Sequence, residues 1–188
     1  MQSRLFFKLV ALALFATLPA AAQPSGPPGN PPPPVPRTQS DMYVPLYGAT
    51  AGIAIPLGRI ADDHAAGYAL GGLVEYAVTG QAYSLRGEGL YQRFALKSAR
   101  TVGKDANLFS LGATIVYRLQ QSTAQPFVAG GIAIYNATDE GTRPGFNAGG
   151  GIEIPLTGFS ATAEVRLHVM LAESRPVLTL PLTVGVRF

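Results

Sequence analysis

The chain has 188 residues, 47% of them hydrophobic and 13% charged, with 22 Gly, 16 Pro and no Cys. That balance is too apolar for a disordered chain, and the lack of Cys excludes disulfides, zinc–thiolate sites, a Cys nucleophile and a lipoprotein anchor. The formal charge of +3 falls once Arg4 and Lys8 are set aside with a segment expected to be removed, leaving twelve basic against eleven acidic residues, so charge gives no reason to expect a nucleic-acid partner.

Residues 1–22 read as a signal peptide. Met1–Lys8 carries two positive charges, Leu9–Leu18 is a short apolar run, and Ala20-Ala21-Ala22 fits a small-residue cleavage site before Gln23. The run is shorter than the ~20 residues that span a bilayer, which disfavours an uncleaved anchor. Residues 23–42 begin QPSGPPGNPPPPVPR. They lack apolar periodicity and read as a stiff, solvated polyproline spacer, with a ligand for a proline-binding groove as the other reading.

From residue 43 to 188 the dominant signal has period two, and no segment reads as a convincing helix. Tyr43–Leu57 places Tyr47, Ala49, Ala51, Ile53 and Ile55 on one parity. Tyr68–Val78 places Tyr68, Leu70, Val74 and Tyr76 against Glu75, and Tyr83–Phe94 places Tyr83, Leu85 and Tyr91 against Arg86 and Glu88. Leu108–Gln120 sets Phe109, Leu111, Ile115 and Tyr117 against Ser110, Thr114 and Arg118. Phe127–Tyr135 is apolar on both parities. Phe146–Leu156 sets Ile152 and Ile154 against Asn147 and Glu153, and Phe159–Val169 sets Val165, Leu167 and Val169 against Glu164, Arg166 and His168. Val177–Phe188 is the clearest alternation, apart from Pro181, which must cost a ladder bond or sit at a bulge.

Eight such segments predict an all-β, eight-stranded antiparallel up-and-down transmembrane β-barrel over residues 43–188. Connections alternate in character. Thr79–Ala82 and Pro155–Gly158 are short turns, whereas Gly58–Ala65, Ala95–Ala106 and Asn136–Gly145 are longer and polar. Short periplasmic turns and longer external loops are expected of such barrels, with both termini periplasmic.

Two features favour a membrane barrel over a secreted soluble one. Aromatic pairs recur eight residues apart on the apolar parity: Tyr68/Tyr76, Tyr83/Tyr91, Phe109/Tyr117 and Phe127/Tyr135. Eight steps of ~3.3 Å, tilted by ~40°, give roughly 20 Å, close to the ~25 Å between aromatic girdles. The apolar parity also carries no charge except Arg93, beside an external loop.

The terminal LTLPLTVGVRF, the segment GATAGIAIPLGRIADDHAAGYALGGLVEYAV and LRGEGLYQRF together resemble the small bacterial outer-membrane β-barrel domain family. The resemblance implies a bacterial outer-membrane location and lipid as the surroundings. It also implies an assembly signal in the last strand, Leu182, Val184, Val186 and Phe188, that the barrel-assembly machinery reads.

The inward parity carries Glu75, Arg86, Glu88, Arg118, Glu153, Glu164 and Arg166, with His168 near the outer rim and Arg187 near the inner one. In a narrow lumen these charges should pair and fill the interior. A selectivity ring in a narrow ion or small-solute channel is the alternative. Catalysis could use His168 with Glu173 and Ser174, or His64 with Asp62 and Asp63, the last three also conceivable as metal ligands. Neither grouping has the spacing of a lipid A deacylase site or of a closed metal site. The expectation is a structural or interaction role with no catalytic, cofactor or metal site, and the external ligand is not named by the sequence.

Overall fold

The computed structural model describes residues 44–77, 81–97, 103–119, 124–138, 140–173 and 175–188. The expected signal peptide (1–22), the Pro-rich spacer (23–42), Tyr43, Val78 and Ser174 lie outside the described residues.

The described strands are β1 (Val44–Leu57), β2 (Gly67–Ala77), β3 (Tyr83–Phe94), β4 (Ala106–Arg118), β5 (Gln125–Ala137), β6 (Gly141–Leu156), β7 (Phe159–Met170) and β8 (Val177–Arg187). Each pairs antiparallel with its sequence neighbour, and β8 pairs with β1 to close the barrel. Tyr47 and Phe188 exchange backbone hydrogen bonds of 2.8 and 2.9 Å at the seam. Closure leaves no row of unpaired backbone groups along the wall, the condition for a sheet in hydrocarbon.

Period two becomes two faces. Tyr47, Ile53, Leu70, Leu85, Leu111, Ile115 and Val184 are exposed on the outside, while Glu75, Arg86, Thr114, Glu153 and Arg166 are buried inside. Burying charge inside and exposing aliphatic side chains outside is the reverse of a soluble barrel. Inward glycines on β6 admit the close approach of the β7 backbone and of the Phe127 ring. A Cβ on Gly149 would lie 2.6 Å from Arg166 Cα, and one on Gly151 would lie 2.8 Å from the Phe127 ring.

The structure corrects two expectations. First, β5 faces the other way from the Phe127/Tyr135 girdle assignment. Phe127 and Tyr135 are 3% and 0% exposed, whereas Ile132 is 72% exposed. Both aromatics have partners inside. The Arg86 guanidinium lies 5.6 Å from the Phe127 ring centroid, and the Tyr135 hydroxyl lies 3.2 Å from His168 Nδ1. Gly130 and Gly131 hide the period by removing one side chain from each face.

Second, a short helix, α1 (Arg59–Asp63), occupies the first long connection. It follows Gly58, whose φ of 58° is a conformation glycine adopts without strain. Phe188 lies opposite Tyr47 at the seam. Pro181 sits in register with Ala54 on β1 without a bulge. On its other side the β7–β8 pairing lapses between Val165↔Leu182 and His168↔Thr179, so the missing N–H costs ladder pairing there.

Candidate functional site

The barrel interior holds one connected set of ion pairs. Nearest the short-turn end, Arg187 Nη1 donates to Glu75 Oε2 at 2.9 Å, and its Nη2 contacts Glu153. Arg118 Nε donates to Glu153 Oε2 at 2.8 Å, Nη1 donates to Ser84 Oγ at 2.8 Å, and Nη2 contacts Glu75. Ser84 Oγ in turn donates to Glu75 Oε1 at 2.6 Å. Arg86 lies directly across the β2–β3 ladder from Glu75 and donates to it through Nε at 3.0 Å. Its Nη1 reaches Glu164 on the opposite wall, also at 3.0 Å. Arg166 Nε donates to Glu164 Oε1 at 2.7 Å, and Arg166 Nη1 contacts Glu88. Thr114 Oγ1 donates to Glu88 Oε1 at 3.2 Å.

Four arginines and four glutamates thus cancel. A buried charge is tolerated only when its partners replace lost water, and the planar guanidinium fork satisfies several carboxylate oxygens at once. Glu75 shows the principle at its limit: it is 0% exposed and meets Arg86, Arg118, Arg187 and Ser84. A space of about 30 Å³ remains beside Thr50, Arg86, Glu88, Glu164, Arg166 and His168, room for a water or two.

Towards the long-loop end the lumen turns apolar. Ala54, Ala69, Leu90, Phe94, Leu108, Met170 and Val177 form a buried cluster, and Ile60 of α1 packs against it. The connections above are tied to one another. Arg59 on α1 pairs with Glu140 between β5 and β6, and Arg143 Nη2 donates to Glu173 between β7 and β8 at 2.7 Å. Lys97 Nζ donates to the Ala61 carbonyl at 2.6 Å, and His64 Nε2 lies 3.2 Å from the Lys104 carbonyl. Asp105 accepts from the Leu96 backbone N–H at 3.0 Å and from Arg93 Nη2 at 2.9 Å. These two donors hold its carboxyl below the usual aspartate range.

Of the residues considered for catalysis with His168, the described ones have other partners. His168 is buried in the lumen against Tyr135, with ring centroids 5.8 Å apart, while Glu173 pairs with Arg143. Among the described residues, no group of three or more His, Cys, Asp or Glu side chains could hold a metal ion. Sequence reasoning placed Arg187 on the inward parity but left it without a partner. Its two glutamates lie on β2 and β6, far away in sequence, and only ring closure brings them to it. Ser84, on the same inward parity, lacked its partners for the same reason, and the eight-residue spacing assigned Tyr135 to the opposite face.

The sequence matches no family model and no curated protein closely enough to name a relative. Solved structures do resemble it. Neisserial surface protein A shares 18% identity over 76% of this chain and 95% of its own, with a TM-score of 0.61. The Yersinia pestis outer-membrane protein Ail, in a phospholipid bilayer nanodisc, shares 13% identity over 76% of this chain and 99% of its own, with a TM-score of 0.50. The fold is that of the small eight-stranded outer-membrane β-barrels.

Proposed function

We propose that this chain is a bacterial outer-membrane barrel with a structural or interaction role, anchored by its wall and presenting its long connections to the outside. The observation that carries the reading is the pairing of a charge-free apolar belt with a neutral, ion-paired interior. The belt needs lipid, and the filled interior opposes a conducting path, which makes the channel reading the weaker one. The cross-tied connections form a held surface rather than loose tails, as suits a contact face. On this reading residues 1–22 direct export, 23–42 form a periplasmic spacer, and the outward Leu182, Val184, Val186 and Phe188 are what the assembly machinery reads.

The absence of Cys makes a direct test simple. Asp62→Cys on α1 should react with a membrane-impermeant maleimide on intact cells. Thr157→Cys, in the short β6–β7 turn, should react only after the outer membrane is breached. Phe188→Asp introduced into the Asp62→Cys protein should lower the labelled fraction. Equal labelling of both single-Cys variants on intact cells would contradict the orientation. Labelling unchanged by Phe188→Asp would remove the assembly role of that residue.

A further inference from the structure

Arg93 is the one charged side chain on the outward parity of the described strands. A guanidinium is costly at the bilayer midplane and stable at headgroup level. Its place in the ladder sets that level. At the loop end of β3 it lies opposite Tyr68 on β2 and Asn107 on β4. The Tyr68 and Tyr91 rings are 6.2 Å apart, and the Tyr91 hydroxyl donates to Asn107 Oδ1 at 2.7 Å. Aromatic side chains with polar tips mark the membrane interface, so Arg93 emerges at that boundary, on the outer surface.

Its charge is only partly used inside the protein. Asp105 accepts from Nη2 at 2.9 Å, one of the five N–H donors of a guanidinium. The Leu96 N–H holds Asp105 in place, and the Tyr68 hydroxyl also bonds to the fork, which leaves the remaining N–H donors available. Lys97 and Lys104 belong to the same connection and are exposed. Among the described residues between 93 and 105, three cations face a single carboxylate. The turn-end belt has no counterpart: its outward residues there include Tyr76, Tyr83, Tyr117 and Phe188.

We propose that Arg93, assisted by Lys104, binds the phosphate of a bilayer lipid headgroup over the loop ends of β2–β4. This rests on the membrane reading and narrows it to a position and a ligand chemistry. The arginine fork matches phosphate oxygens two at a time, and Lys104, exposed in the connection that follows β3, supplies a second cation.

The test reconstitutes the full chain in phosphatidylcholine vesicles containing a minor fraction of phosphatidic acid, then identifies retained lipids by native mass spectrometry. The wild type should retain phosphatidic acid in preference to phosphatidylcholine. Arg93→Gln should weaken that retention about fivefold, the contribution of one interfacial cation. Lys104→Gln should weaken it less, Arg93→Lys should restore part of it, and Arg143→Gln at the loop end of β6 should leave it unchanged. Equal retention by Arg93→Gln and wild type, both inserted and heat-modifiable, overturns the lipid site alone. Failure of the wild type to insert as a heat-modifiable, protease-protected barrel overturns the membrane reading as well.

Discussion

At the scale of single residues, Glu75 concentrates the energetics of the interior. It is fully buried and meets three guanidiniums and a hydroxyl. Glu75→Gln keeps the shape but leaves four arginines facing three carboxylates. Breaking a buried ion pair by removing one partner costs about 3–5 kcal/mol. Urea unfolding in lipid vesicles should therefore shift to markedly lower denaturant for Glu75→Gln. Exchanging the residues, Glu75→Arg with Arg86→Glu, should not recover the loss, because the new guanidinium would face Arg118 and Arg187 and the new carboxylate would face Glu164. An unfolding midpoint for Glu75→Gln equal to wild type would show that the charge carries no weight there.

At the scale of the strand, the decisive property is which parity meets lipid. On β4, Ile115 is outward and 61% exposed, whereas its neighbour Thr114 is fully buried beside Glu88. An arginine at the bilayer midplane costs about 2–4 kcal/mol, so Ile115→Arg should lower folding yield in vesicles. Thr114→Arg should instead perturb the lumen network, with its cationic head within reach of Glu88. Full folding yield for Ile115→Arg would contradict the assignment. The sequence showed the parity of β4 because Ser110, Thr114 and Arg118 share one parity there, opposite Phe109, Leu111, Ile115 and Tyr117. It hid that of β5, where Gly130 and Gly131 thin both faces and Phe127 and Tyr135 fill the lumen. An inward aromatic looks the same as an outward one until its partner, Arg86 or His168, is known. The helix α1 went unseen because five residues give no periodicity to read.

At the scale of the whole molecule, the wall and the interior make opposite demands that one closed sheet meets together. Closure satisfies the backbone in hydrocarbon and brings Arg187 on β8 to Glu75 on β2 and Glu153 on β6. Composition and alternation revealed the barrel, the two faces and the charged inward set. They could not reveal the pairings, which span the ring, nor the ties between the long connections, which form above it. The interior is closed twice over, by the ion-paired layer and by the apolar cluster around Phe94, Leu108 and Met170. The central claim is thus a membrane-inserted barrel whose lumen is filled. Planar-bilayer recording of purified, heat-modifiable wild-type protein tests it most directly. The expected result is a silent bilayer despite verified insertion; a stable, open, ohmic conductance would contradict the filled lumen and make the protein a channel.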